Sequence, residues 1–201
     1  IYIVLLLGII GICQSMTDAL RREIEMTRET TATGEKIGGK RRVVLDSGHG
    51  GSDSGKVGIN EAKEKEINLK IAKKIQELLE AEKVEVIMTR ESDEQLAPSK
   101  VEDLKKRVSI MNENSPTLAV SIHQNSYEDS GVKGPQVFYY RDSMEGERLA
   151  KLLQEKLNKH LQVERPREAK GNTTYYLLKR SPGIINIVEC GFLTNPDEAW
   201  K

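Results

Sequence analysis

The chain has 201 residues, of which 37% are hydrophobic and 31% are charged, a composition typical of a folded globular body rather than a disordered chain. Its 31 basic and 31 acidic residues give a formal net charge of zero. Because no basic block stands out, nothing favours nucleic acid as a partner. Only two cysteines occur, Cys13 and Cys190, which excludes a disulfide-stabilised scaffold.

The first thirteen residues carry no charge. An apolar run of this length fits the hydrophobic region of a signal peptide better than a full transmembrane span, which needs ~20 residues. We therefore expect residues 1–15 to be a signal peptide or an N-terminal membrane anchor, so that the remainder is extracytoplasmic, either secreted or anchored. A buried N-terminal strand is the alternative. Lipidation of Cys13 is disfavoured because Ile12 precedes it, where a small residue is usual.

Residues 16–40 are polar and mixed in charge. Thr17 could cap a short helix that runs to about Met26, with Leu20 and Ile24 on one side. The rest of this stretch is rich in threonine and glycine. We therefore expect residues 16–40 to form a polar linker, followed by one domain over residues 41–201 that is either complete or without its last helix.

From Arg42 onwards, strand patterns alternate with helix patterns. Short apolar runs predict strands at residues 43–45, 84–89, 118–122, 136–140, 174–178 and 184–188. Apolar residues at helical spacing predict helices over residues 65–82, 100–112 and 144–160. This alternation predicts an α/β fold: a single three-layer domain with a mixed, mostly parallel sheet and helices on both faces.

Polar residues follow three of the predicted strands at their carboxyl ends, where α/β sheets carry functional groups. They are His49, His123 and Glu189, and Glu64 lies at the start of the first predicted helix. Two imidazoles and one carboxylate are a typical catalytic zinc set, because three protein ligands leave a fourth position for water. We therefore predict His49, Glu64 and His123 as metal ligands. Glu189 is then the carboxylate that moves protons for the attacking water.

Taken singly, these residues also have ordinary structural roles, such as a turn histidine, a helix-start glutamate or a hydrogen-bonded core histidine. Three neighbouring glutamates also compete for the carboxylate position: Glu61, Glu64 and Glu66. Glu64 precedes Ile67 by three residues and Ile71 by seven, so it shares their inward helix face. Periodicity therefore favours Glu64.

The remaining histidine and the second cysteine are expected to lie outside this site. His160 has charged neighbours at a helix end, which is typical of a solvated residue with no metal role. Cys190 follows Glu189 in an apolar run, and we expect it to be a buried thiol.

Four segments together resemble the zinc-dependent N-acetylmuramoyl-L-alanine amidases of bacterial cell walls, the amidase type 3 family. They lie at residues 46–51, 64–69, 121–125 and 188–195. The resemblance covers Arg42 to the end of the chain, and it also implies zinc ligation by His49, Glu64 and His123 with Glu189 as the catalytic carboxylate. Two departures are Ser47, where proline is usual, and Ser126, where alanine is usual.

The resemblance implies that residues 41–201 form a zinc amidase domain. With Zn2+ as cofactor, this domain would hydrolyse the amide between N-acetylmuramic acid and L-alanine in peptidoglycan. A compact body without wall-binding repeats resembles the spore-cortex, germination-specific branch, which implies muramic-lactam formation during cortex maturation. We expect membrane contact through the N-terminal segment only, and a protein partner that localises or activates the enzyme. Two alternatives stay open: a catalytically idle wall-binding or scaffold protein, and a zinc amidohydrolase of another amide.

Overall fold

The structure is a computed structural model that describes residues 2–30, 41–181 and 183–200. Within these ranges the elements are, in chain order, α1 (Tyr2–Thr30), β1 (Arg42–Ser47), α2 (Glu64–Ala81), β2 (Glu85–Met88), α3 (Lys100–Asn114), β3 (Leu118–Asn125), β4 (Gln136–Tyr140), α4 (Met144–His160), β5 (Lys170–Asn172), α5 (Tyr176–Arg180), β6 (Ile184–Phe192) and α6 (Pro196–Ala199). The description of side chains in α1 is confined to residues 10–26.

The strands form one sheet in the order β2-β1-β3-β6-β4-β5. Strands β2, β1, β3 and β6 are mutually parallel, whereas β4 pairs antiparallel with β6 and parallel with β5. Parallel neighbours need crossover connections, which α2, α3 and other helices supply. The mixed, mostly parallel sheet confirms the predicted fold class.

Helices cover both faces of the sheet, as predicted. Successive side chains of a strand point to opposite faces, so each inner strand contributes to two cores. Leu45 of β1 and Val120 of β3 pack in the core beneath α2 and α4, and α1 lies across those two helices. Val44 and Ala119, from the same strands, pack on the other face beneath α3 and α5.

Strands β3 and β6 extend further than their apolar runs predict. β3 continues to Asn125 and β6 to Phe192, so His123 and Glu189 lie inside paired strands rather than after them. The two residues are Cα partners, and the register shifts between His123 and Asn125. Backbone hydrogen bonds continue a strand regardless of side-chain polarity, which is why the apolar pattern ends earlier than the strand.

The predicted strand at residues 174–178 is wrong, because most of it lies in the short helix α5. The Asn172 side chain accepts hydrogen bonds from the backbone N–H groups of Thr174 and Tyr175, which turns the chain. Leu177 and Leu178 are then both buried on consecutive helical positions. Strand β5 was not predicted, because its three residues carry no apolar alternation.

The expectation of a linker at residues 16–40 is wrong over residues 16–30, which continue the helix α1. Leu20 and Ile24 share one side of that helix, as predicted, and together with Met16 they are buried against the domain. The buried Glu23 also forms an ion pair with Arg148 of α4. Residues 31–40 lie outside the described residues.

Helix α1 approaches the end of α4 closely at Gly11, where an added β-carbon would collide with the ring of His160. His160 itself is solvent-exposed, as expected for a residue outside the site. Among the described helices, none combines the length and apolarity that a membrane span requires. The signal peptide or anchor at residues 1–15 stays a prediction.

Candidate metal centre

The first candidate ligand lies in an unusual backbone conformation. His49 has φ 62°, in the left-handed region that residues with a β-carbon seldom adopt, and Gly51 follows with φ 56°. Gly48 also has no room for a side chain, because a β-carbon there would collide with the His123 ring. The glycines on both sides of His49 therefore allow the loop to bend tightly against β3.

His49, Glu64 and His123 converge at the carboxyl edge of the sheet. Glu64 Oε1 lies 3.2 Å from His49 Nε2 and 2.9 Å from His123 Nδ1. The two imidazole rings are nearly perpendicular, with centroids 5.0 Å apart. One ligand atom from each residue lies within 4.8 Å of the others, and imidazole nitrogens and carboxylate oxygens are ligands that zinc uses in proteins. The three residues could therefore hold a metal ion.

Glu64 is fixed at the start of α2 as an ionised group. Its Oε1 accepts a hydrogen bond from the Gln124 backbone N–H, and its Oε2 accepts one from the Lys56 backbone N–H. Burial alone would raise the pKa of Glu64, but hydrogen bonds and charges from His123 and His49 outweigh it and hold the pKa well below its usual range. The carboxylate is thus ready to bind a cation.

The two competing glutamates lie away from the histidines. Glu61 and Glu66 are solvent-exposed, whereas Glu64 is buried. Glu64 and Ile71 are both buried on α2. The inward helix face that favoured Glu64 in the sequence is therefore the face that carries the candidate ligand.

Glu189 lies beside this group on the neighbouring strand. Strand alternation puts Ile185 and Ile187 towards α3 and α5, and Glu189 continues the same face. Within the described residues, its Oε2 is buried and has no hydrogen-bond partner. Burial raises the pKa of Glu189, the charge of Glu64 raises it further, and the charges of the two histidines partly offset the rise. A carboxyl group with a raised pKa and an open acceptor is suited to proton transfer.

Two buried arginines hold the loop that carries His49, a feature that sequence reasoning missed. Arg107 donates hydrogen bonds to the backbone carbonyls of Ser47 and His49, at 2.8 and 2.9 Å. Arg90 donates to the carbonyls of Ser47 and Gly48, at 2.9 and 3.1 Å. The backbone carbonyls of Ser47, Gly48 and His49 thus all accept hydrogen bonds from the two arginines. These bonds stabilise the left-handed backbone conformation of His49.

Arg107 is anchored by Asp46, which is completely buried. Asp46 accepts hydrogen bonds from Arg107, Thr89 and Ser121 at 2.6 to 2.7 Å. Burial alone would raise the pKa of Asp46, but the charge of Arg107 and the two hydroxyl hydrogen bonds outweigh it and lower the pKa. The result is an ionised pair beneath the His49 loop.

Sequence signals could have identified two of the residues that support the ligands: Arg90, and Asn68, whose Nδ2 donates to Glu64 Oε1 at 3.4 Å. Arg90 follows β2 just as His49 follows β1, so the rim position that selected the histidines also applies to it. Asn68 lies four residues after Glu64, on the same inward face of α2. Burial confirms both positions, since Arg90 is 2% exposed and Asn68 is 0% exposed.

A cavity of about 180 Å³ opens beside the two histidines. Leu104 and Leu177, from α3 and α5, line its apolar part, and Arg107 and Lys100 contribute charged groups. The cavity also reaches His49 and His123, so a ligand bound there would lie next to the candidate metal centre.

An α/β sheet that brings a His–Glu–His group and a further carboxyl group to its carboxyl edge is the arrangement typical of metal-dependent hydrolases. Residues 43–201 match the family described as N-acetylmuramoyl-L-alanine amidase. The chain belongs to this family and is an enzyme of its kind, a hydrolase of the amide bond that its name specifies.

Known relatives include enzymes with the same domain. The chain is 39% identical over 167 residues to the germination-specific N-acetylmuramoyl-L-alanine amidase of Bacillus subtilis, covering 78% of this chain and 69% of the relative. The structure of this chain is similar to that of the CwlD amidase of Clostridioides difficile, solved in complex with the GerS lipoprotein. The TM-score is 0.76 and the identity 36%, covering 80% of this chain and 87% of that one. The AmiC2 amidase of Nostoc punctiforme gives a TM-score of 0.72 at 33% identity, covering 80% of this chain and 84% of the other.

Proposed function

We propose that this chain hydrolyses the bond between N-acetylmuramic acid and L-alanine in peptidoglycan, with a zinc ion held by His49, Glu64 and His123. The observation that carries the proposal is the convergence of these three side chains beside Glu189, whose buried Oε2 has no hydrogen-bond partner among the described residues. Two imidazoles and one carboxylate are the donor set that catalytic zinc sites use, and zinc is therefore the metal we assign.

Zinc, when bound, supplies a Lewis acid that polarises the scissile carbonyl and activates water at neutral pH. Glu189 accepts the proton that the attacking water loses as its oxygen bonds to the carbonyl carbon. The same carboxyl group then delivers that proton to the nitrogen as the carbon–nitrogen bond breaks. The products are the lactyl carboxylate of the glycan and the free amino group of L-alanine. The raised pKa of Glu189 brings it closer to the pH at which acid and base roles are balanced.

The branch within the family follows from the names of two relatives. One is a germination-specific amidase, and another was solved with a lipoprotein. We infer that this chain acts in spore-cortex maturation, where stem-peptide removal precedes muramic-lactam formation, and that a protein partner localises or activates it. Because its substrate is the cell wall, we place the enzyme outside the cytoplasm.

Two rival functions make different predictions. An idle scaffold on this fold has no need for an ionised Glu64 between two histidines or for an open acceptor on Glu189, and both are present here. A zinc amidohydrolase of another amide would have the same centre, so the products of the reaction must separate it from the proposed function.

The decisive experiment digests purified peptidoglycan with the wild type, with Glu189→Gln and with Glu66→Gln as an exposed control. We expect the wild type and the control to release stem peptides that begin with free L-alanine. Glu189→Gln keeps the shape of the side chain, so zinc content should be unchanged while turnover falls by roughly 10²–10⁴-fold. Cleavage at another bond would favour the other amidohydrolase, and a zinc-loaded wild type that cleaves nothing would favour the scaffold.

A further inference from the structure

The side chain of Asn68 touches all three segments that carry the candidate ligands. Its Nδ2 donates to the Gly48 carbonyl at 3.2 Å and to Glu64 Oε1 at 3.4 Å. Its Oδ1 accepts a hydrogen bond from Gln124 Nε2 at 3.2 Å. Gly48 immediately precedes His49 and Gln124 immediately follows His123, so one buried amide connects the β1 loop, α2 and β3 at the centre itself.

The chemistry of these partners determines how the amide is oriented. A backbone carbonyl and an ionised carboxylate can only accept hydrogen bonds, so the NH2 group of Asn68 must face Gly48 and Glu64. Gln124 then supplies the N–H that the Asn68 oxygen accepts. Both hydrogens of the amide and its oxygen are therefore used, which fixes the side chain with little freedom to rotate.

We propose that Asn68 is a positioning residue for the metal: it holds the three ligand-bearing segments in binding geometry and thereby sets zinc affinity. This inference rests on the proposed zinc centre. Its physical basis is that the ligands come from three separate elements and that His49 has a strained backbone conformation, so their spacing depends on contacts between those elements. Residues that orient metal ligands commonly change affinity by 10–100-fold when removed.

A merely structural role is the competing explanation, because removing any buried amide leaves carbonyls without donors. The chain offers a matched control in Asn186 of β6. It is also 0% exposed, and its Nδ2 donates to the carbonyls of Phe138 and Gly146, although its Oδ1 has no partner among the described residues. Asn186→Ala therefore removes the same atoms at the same depth without touching the His49 loop, Glu64 or Gln124.

The test measures zinc affinity by competition with a chromophoric chelator, and the melting temperature of the metal-free protein, for the wild type, Asn68→Ala and Asn186→Ala. Both variants should melt at lower temperature. Asn68→Ala alone should bind zinc roughly 10–100-fold more weakly. Equal zinc affinity in the two variants would overturn the positioning role. A wild type that binds no zinc would instead overturn the proposed metal centre.

Gln124→Met keeps the test decisive if Asn68→Ala does not fold. This variant removes the donor to Asn68 Oδ1 but keeps the backbone N–H that Gln124 donates to Glu64. We expect zinc affinity to fall by about 10-fold, the lower end of the range for such supporting contacts. Wild-type affinity in Gln124→Met would then count against the proposal.

Discussion

The Nδ1 atom of His49 lies 2.9 Å from Oδ2 of Asp53, while Nε2 on the other side of the ring faces Glu64. Burial alone would lower the pKa of His49, but hydrogen bonds and charges from Glu64 and Asp53 outweigh it and raise the pKa. In the neutral ring, a proton on Nδ1 is donated to Asp53, which leaves the Nε2 lone pair for a metal. Asp53 thus selects the tautomer of His49 that can act as a ligand.

Replacing Asp53 by alanine should weaken zinc binding by roughly 10–100-fold, because the ring loses the partner that fixes its tautomer and orientation. Chelator competition measures the affinity. Lys100→Ala is the control, since this exposed lysine pairs with the other oxygen of Asp53 at 3.3 Å. If both variants bound zinc as the wild type does, the tautomer argument would be wrong.

Glu64→Ala should lose bound zinc and activity together, because it removes the carboxylate that lies between the two histidines. Glu66→Ala, two residues away and exposed, should keep both. Metal analysis of the purified proteins and peptidoglycan digestion check the pair. Zinc loss in Glu66→Ala with full zinc in Glu64→Ala would reverse the assignment of the helix face.

Asp46→Asn should destabilise the fold by about 1.5–3 kcal/mol at neutral pH, because it removes the charge of one of the two buried carboxylates that pair with Arg107, while Asp103 still pairs with it at 2.5 Å. Urea unfolding measures the loss, with Asp142→Asn as a control at an exposed aspartate. A loss no larger than that of the control would show that the buried pair contributes little.

The ion pair of Asp46 and Arg107 also makes the free energy of unfolding depend on pH. Because the folded-state pKa of Asp46 is lowered, its contribution is complete above the ordinary aspartate pKa of ~3.9. The contribution is lost as the pH falls further, through the folded-state pKa. The free energy of unfolding should therefore decline less steeply below about pH 4 in Asp46→Asn than in the wild type. Parallel pH profiles would contradict this expectation.

Leu20→Ala should lower the free energy of unfolding by roughly 2–5 kcal/mol, as for other large-to-small changes in a core. Leu20 is fully buried in the cluster formed by α1, α2 and α4. Arg22→Ala, at an exposed position of the same helix, is the control. Equal stability of the two variants would mean that α1 adds little to the domain, as the expected linker implies.

Much of the fold follows from local patterns in the sequence. The range of α4 and the position of β4 were predicted to the residue, because apolar periodicity records which side of an element is buried. The candidate centre could also be predicted from the sequence, since His49, His123 and Glu189 follow apolar runs near the carboxyl ends of strands. The strand prediction for residues 174–178 was wrong because the side chain of Asn172, which lies outside that segment, turns the chain through its hydrogen bonds.

The tertiary structure alone decided which groups support those residues. Arg107 reaches Asp46 across 61 positions of sequence, and Gln124 reaches Asn68 across 56. The burial of Leu20 likewise depends on helices far along the chain. The sequence by itself determined which side chains are apolar, which are titratable and where elements form, because these properties are local. Pairing between distant groups is settled only when the packed core brings their elements together, since a hydrogen bond requires contact and no periodicity encodes its partner.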